Sequence, residues 1–240
     1  MGGKSKKLDY IPHTDSNYFG FTSDWHIGNK HTNEDYILDY LDLLKERGVK
    51  DVFHGGDLFE GIRIYRSQID NLHKDSLDMN GQIDRLNKLI PEQKDLNFYL
   101  ISGNHLVKHR NRRDPVKTIS KSRKDFTHLG VYQGKVKLED DVELELIHPS
   151  RNSKYPDLSY MSNYPEYMDL PDILGIGHLH KSGYEIYKGI PVFYLGTFLE
   201  ETQSRKNKFK PDIGAWIVEL EIDGGKIEGG NLEWIEYPLQ

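Results

Sequence analysis

Five short polar motifs carry the residue types that do chemistry. SDWHIG sets Asp24 and His26 two residues apart, HGGDLFEG holds Asp57, SGNHL gives Asn104 and His105, LIHPS gives His148, and GHLH gives His178 and His180. The chain has no cysteine, so any metal it binds is held by oxygen and imidazole. Carboxylate oxygen suits hard divalent cations and imidazole suits Mn, Fe and Zn, so the mixed set points to first-row divalent ions. Two such ions about 3.5–4 Å apart need a bridging ligand, which a carboxylate such as Asp57 supplies. Together they lower the pKa of a shared water and neutralise phosphoryl oxygens. Gly55, Gly56, Gly103 and Gly177 flank the motifs and permit tight turns and close ligand approach. A single DxH or HxH pair is ordinary. The ordered series of all five carries the expectation.

Strands must position these groups. NYFGFTS (17–23) reads as a strand ending at Asp24, Val52 and Phe53 begin another that runs into HGGD, and LNFYLIS (96–102) is a third that runs into GNH. Between them, Asn33 reads as a helix cap, with Glu34 and Asp35 in the first turn, Ile37, Leu38, Leu41 and Leu44 on one face, and Gly48 as the stop. A longer helical stretch is expected over 65–90, with Ile69, Leu72, Ile83, Leu86, Leu89 and Ile90 as core, closed by Pro91. Beyond about 130 the pattern changes to strands and turns: VYQGKVKL, VELELIH, ILGIGH, YEIYKGIPVFYLG and AWIVELEI, with KG and DGG as hairpin turns. Strand–helix alternation followed by strands predicts an α/β layered sandwich. Residues 17–240 then form one domain behind a flexible tail, 1–16. All five motifs sit at carboxyl ends of expected strands, where open α/β sheets place their sites.

The ordered series D-x-H, GGD, GNH, a strand-ending His and GHxH resembles the signature of the calcineurin-like metallophosphoesterase superfamily, over about Asp24 to Gln203. The resemblance implies a two-sheet sandwich flanked by helices. It also implies one metal held by Asp24, His26 and His180, another by Asn104, His148 and His178, and Asp57 bridging. His105 matches the position that stabilises phosphate and protonates the leaving oxygen. The implied cofactor is a pair of divalent ions, Mn first, with Fe, Zn or Ni as other ions for such donors. GHLHKSGYEIYKGIPVFYLGTFLEETQ is similar to the end of the phosphoesterase domain in the small subunit of archaeal family-D DNA polymerases, and GGDLF is similar to the double-strand-break-repair nucleases. That branch implies a Mn-dependent DNA nuclease, with a homodimer as the repair-nuclease state. Two positions depart from the pattern. Leu106 stands where the superfamily usually has an Asp that orients the catalytic His, so His105 needs another acceptor. Glu60 stands where the repair nucleases have His, and GDLFE is similar instead to the lipid A pathway pyrophosphohydrolases.

Bulk properties bound the alternatives. The chain has 240 residues, a formal net charge of −6 and a mean hydropathy of −0.70, with no unbroken apolar run long enough for a membrane helix. The basic start lacks an apolar stretch and is read as a tail rather than a signal peptide, which sets the expectation of a soluble, cytoplasmic protein with no membrane partner. Positive charge concentrates after His105, in KHRNRRDPVKTISKSRK. Arg110, Arg112, Arg113 and Lys117 are candidates for tracking a nucleic-acid backbone. A second basic cluster is Arg205, Lys206, Lys208 and Lys210, and Tyr155, Tyr160, Tyr164 and Tyr167 lie between two metal motifs as packing or base-stacking residues. His54 is expected to pack or to support the site from behind. Besides a DNA nuclease, the sequence leaves open a phosphodiesterase or pyrophosphohydrolase of small or cyclic nucleotides, and a non-catalytic polymerase-type accessory subunit.

Overall fold

A computed structural model describes residues 11–107, 114–149, 170–200 and 210–239. Two mixed sheets pack face to face. The first is ordered β11-β10-β1-β2-β3-β4, from β1 (Tyr18–Thr22), β2 (Asp51–His54), β3 (Asn97–Ile101), β4 (Phe126–Gly130), β10 (Gly214–Asp223) and β11 (Lys226–Glu236). The second is ordered β5-β6-β7-β9-β8, from β5 (Gln133–Lys137), β6 (Glu143–Ile147), β7 (Ile173–Ile176), β8 (Ser182–Tyr187) and β9 (Ile190–Leu195). Strands β1 to β4 run parallel, and so do β6, β7 and β9. The KG and DGG turns close the β8–β9 and β10–β11 hairpins.

Alternation along each strand divides the core. Phe19 and Phe21 of β1, Phe53 of β2 and Ile101 of β3 meet Leu144, Leu146, Ile173 and Phe193 between the sheets. Val52, Phe98 and Leu100 point the other way, onto the helices α1 (Glu34–Glu46) and α2 (Met79–Leu89). Phe19, Phe21 and Phe53 pack edge to face, with centroids 5.0–6.3 Å apart, so the inter-sheet seam is aromatic at its centre.

Asn33 caps α1 by accepting from the Tyr36 amide. Its buried face is Ile37, Tyr40, Leu41 and Leu44. Leu38 packs half-buried at its edge, and Tyr40 joins the face with a hydroxyl that bridges two strands, accepting from Phe21 N and donating to Trp216 O at 2.6 Å. The stretch 65–90 is not one helix. Arg63 and Ser67 take left-handed backbone angles, two 3-10 turns follow, and Asp78 starts α2 by accepting from Gly81 N at 2.8 Å. Ile69 is accordingly exposed. No helix among the described residues is long and apolar enough to cross a membrane.

Candidate metal centre

Parallel strands bring the five motifs to one edge. β1, β2 and β3 are neighbours in the first sheet and β6 and β7 in the second, and each ends just before a motif. Asp24 N donates to Gly56 O at 2.9 Å and His26 N to Asp57 O at 3.0 Å, so the first two motifs stay paired beyond their strands. Trp25, fully buried, anchors the turn by donating from Nε1 to Thr22 Oγ1 at 2.8 Å. Asp24, His26, Asp57, His178 and His180 all hold positive φ, from 49° to 73°. Such strain costs about 1–3 kcal/mol per residue and persists where the surroundings over-determine it. Two glycines admit the crowding. A Cβ at Gly56 would lie 2.5 Å from His148 Nδ1, and one at Gly103 would lie 2.2 Å from Asp57 Oδ1.

Asp24 shows most directly what the site is built for. Its Oδ2 accepts from Ser23 Oγ at 2.5 Å and from His178 N at 2.8 Å. Its Oδ1 is fully buried and in no hydrogen bond among the described residues, yet lies 3.2 Å from His180 Nε2 and 3.5 Å from His26 Nε2. Those two nitrogens face each other at 3.3 Å. Ligands at 2.0–2.1 Å on a tetrahedral ion stand about 3.3 Å apart, so the three atoms fit one cation.

A second group sits alongside. His148 Nε2 is 3.1 Å from Asp57 Oδ2 and 2.9 Å from Asn104 Oδ1, and the His178 ring packs on His148 at 5.0 Å. Asp24, His26 and His180 form one set able to hold a metal, and Asp57, His148 and His178 form another. Asp57 also groups with His26 and His105, so its carboxylate lies between the two sets.

The supporting hydrogen bonds aim the rings. His148 Nδ1 donates to Gly55 O at 2.7 Å, and His26 Nδ1 donates to Glu60 Oε2 at 2.9 Å, which leaves each Nε2 pointing inward. Glu60 is fully buried, and its Oε1 accepts from Tyr65 Oη at 2.9 Å and Gln68 Nε2 at 2.8 Å. His105 Nδ1 donates to the backbone oxygen of Glu60 at 2.7 Å. That carbonyl is the acceptor His105 needs with Leu106 in place of Asp. Its Nε2 is the nitrogen left to face the site.

Asp24, Asp57 and Glu60 are buried carboxylates whose ion-pair partners among the described residues are all histidines. Burial works against charge on these three carboxylates and on His26 and His148, and there the mutual attraction outweighs it. Burial would lower His26, but Asp24 and Glu60 hold it up at about 10. His148, likewise opposed by burial, is held at about 9 by Asp57 and Asp24. Burial would raise Glu60, but His26 and His105 bring it down to about 2, and Asp57 lies well below the usual carboxylate range against the same opposition. His178 is pushed down to about 3 by burial and then by His148. Dense paired charge of this kind is what divalent cations neutralise.

The structure brings together Asp24, His26, Asp57, Asn104, His105, His148, His178 and His180. Arg110, Arg112 and Arg113 lie outside the described residues, as do Arg205, Lys206, Lys208 and the four tyrosines 155, 160, 164 and 167. Lys117 is exposed on α3 (Pro115–Ile119). Arg123 differs from its neighbours in the basic run. It is buried, pairs with Asp125 at 2.5 Å and donates to Ile90 O at 2.6 Å, so it closes α2 onto β4. His54 is buried against Trp25, accepts from Gly56 N at 3.2 Å and is pushed down to about 3 by burial. Sequence reasoning missed the role of Glu60. Its signal was an acid between apolar Phe59 and Gly61, three residues past Asp57, where burial demands a partner.

No family model matches the chain. It is similar to the DNA polymerase II small subunit of Methanocaldococcus jannaschii, 23% identical over 265 residues, covering 90% of this chain and 44% of that protein. The same subunit of Methanothermobacter thermautotrophicus is 23% identical over 236 residues, covering 78% and 48%. The chain thus spans less than half the length of the curated relatives it matches. Among solved structures, zinc-complexed Vps29 of Entamoeba histolytica superposes with a TM-score of 0.50 at 14% identity, covering 91% of this chain and 98% of that one. The fold is that of Vps29, and its two packed sheets with helices outside are the architecture that the resemblance implies.

Proposed function

We propose that this chain is a Mn-dependent two-metal phosphodiesterase that cleaves DNA. The observation that carries the reading is the buried Oδ1 of Asp24, without a hydrogen bond among the described residues and set between two imidazole nitrogens, with Asp57 between that set and the next. Asp24, His26 and His180 would hold one ion, Asn104, His148 and His178 the other, with Asp57 shared. When bound, such ions supply an activated water and charge neutralisation at the phosphoryl group.

The chain's own residues do the rest. Glu60 and the Gly55 carbonyl fix the tautomers of His26 and His148, so each donor is set before substrate arrives. His105, pinned through Nδ1, presents Nε2 to give a proton to the departing oxygen. DNA as substrate is supported by the likeness to polymerase small subunits and by exposed Lys117 beyond the His105 loop. The test is a gel assay of 5′-labelled single-stranded DNA with Mn²⁺, against an EDTA control. A metal-dependent ladder is expected. Intact DNA, from protein that still hydrolyses bis-p-nitrophenyl phosphate, would replace DNA by a small phosphodiester.

A further inference from the structure

Three polar side chains outside the proposed ligand set meet beside it. Ser102, fully buried, directly precedes Gly103, Asn104 and His105. Its Oγ bonds Asp114 Oδ2 and lies 2.9 Å from His128 Nε2, and that nitrogen is 3.4 Å from Asp114 Oδ2. A bulge brings the histidine there. The ladder between β3 and β4 pairs Leu100 with His128 and Ile101 with Gly130, skipping Leu129, and a bulge re-aims the side chains beside it. Asp114 arrives as the cap of α3, its Oδ1 accepting from Val116 N at 3.0 Å and from Lys117 N at 3.2 Å.

The protons of this trio can be placed. Burial would raise Asp114, but His128 and Ser102 hold it below the ordinary carboxylate value. An ionised carboxylate only accepts, so Ser102 donates its one proton to Asp114 and accepts from His128 Nε2. This is the reverse of a nucleophilic trio, in which the histidine takes the serine proton, and Ser102 has no surface open to solvent. What the trio holds is backbone. Ser102 O accepts from Asp57 N at 3.0 Å, and His105 N donates to Asp57 Oδ1 at 2.9 Å. The carboxylate between the two metal sets is thus fixed at its backbone by residue 102 and at its side chain by residue 105.

We infer that Ser102, Asp114 and His128 are positioning residues that clamp Asn104 and His105 against Asp57. The inference rests on the two-metal phosphodiesterase reading, in which Asp57 and Asn104 are ligands and His105 is the acid. A shift of residue 102 would displace all three together. The contacts around Asp57 call for such a hold. Its φ of 52° is a strained angle that persists only where the surroundings over-determine it. Gly103 lies so close that a Cβ there would stand 2.2 Å from Asp57 Oδ1. Glu60 supports His26 and, through its carbonyl, His105, whereas the trio supports the segment that carries Asn104.

Ser102→Ala removes the centre of the trio, and Asp114→Asn keeps the α3 cap while turning an N–H toward Ser102. Two readouts apply to the full chain. In EDTA, hydrogen exchange at the Gly103 and His105 amides should quicken by at least about fivefold in Ser102→Ala, with β1 and β6 unchanged. At saturating Mn²⁺, kcat for bis-p-nitrophenyl phosphate should fall roughly 10- to 100-fold, the range for groups that orient metal ligands. KM should stay within about twofold. The double variant should be no worse than Ser102→Ala, because the carboxylate acts through the hydroxyl. Exchange that quickens everywhere or nowhere, a lowered Tm with kcat intact, or additive losses would overturn the positioning role. Labelling of Ser102 by a fluorophosphonate would also overturn it, by making the serine a nucleophile. A wild-type chain that hydrolyses no phosphate ester would instead overturn the phosphodiesterase reading, and this role with it.

Discussion

Glu60→Gln isolates the part of the site that no motif announces. The carboxylate receives His26 Nδ1 on one oxygen and Tyr65 Oη and Gln68 Nε2 on the other. An amide offers one oxygen and one NH₂, so in either orientation an N–H meets a donor. The His26 bond then loses either its charge or its acceptor. A hydrogen bond to a charged group contributes about 1.5–3 kcal/mol, and 1.4 kcal/mol is about tenfold in an equilibrium constant. The ion proposed at Asp24, His26 and His180 should therefore bind roughly 10- to 100-fold more weakly, the range found for such supporting groups. The assay is hydrolysis of bis-p-nitrophenyl phosphate against Mn²⁺ concentration. The activation midpoint should rise by that factor while saturating Mn²⁺ restores most of kcat, since Glu60 touches neither metal nor substrate. An unmoved midpoint would refute the aiming role, and so would a loss of rate that excess Mn²⁺ does not rescue.

Other consequences are as direct. Asp57→Asn should abolish turnover on every substrate with the far-ultraviolet circular dichroism unchanged. His105→Ala should cost about 10²–10⁴-fold on DNA and much less on p-nitrophenyl esters, whose leaving group needs no proton; equal losses on both would remove the acid role. His54, held at about 3 from an ordinary 6.5 by burial, makes stability fall as pH drops through that window, because the unfolded chain takes a proton that the folded one refuses. Its share of the slope is up to about 1.4 kcal/mol per pH unit. Denaturant melts in EDTA at pH 7, 6, 5 and 4 should show a shallower fall for His54→Asn, and parallel slopes would contradict this. Arg123→Met strands the buried carboxylate of Asp125 and should cost about 3–5 kcal/mol, lowering Tm by roughly 6–20 °C at about 2–4 °C per kcal/mol. A change within 2 °C would return Arg123 to the exposed basic run.

That the proposed metal ligands come together was legible in sequence because each follows an apolar strand, and parallel strands put their carboxyl ends on one edge. Asn33 and the apolar spacing behind it likewise gave α1 its start and face. The stretch 65–90 misled because its apolar residues keep a helical spacing while serving a loop. What stops the helix there is Asp78 capping a new start and left-handed turns at Arg63 and Ser67, and Ile69 faces solvent. Glu60 and Arg123 misled for a common reason. Both are charged residues with a partner distant in sequence, His26 for one and the Ile90 carbonyl for the other, and local pattern shows at most that a buried charge needs a partner, not which residue supplies it. The acceptor for His105 was hidden more completely, since it is a backbone carbonyl that any residue at position 60 would supply.

The most direct test of the account is anomalous scattering at the manganese edge from crystals grown with Mn²⁺. Two peaks about 3.5–4 Å apart are predicted. One lies among Asp24, His26 and His180, the other among Asn104, His148 and His178, with Asp57 between them. A single peak, or none at these residues under conditions where the protein is active, would contradict the two-metal centre.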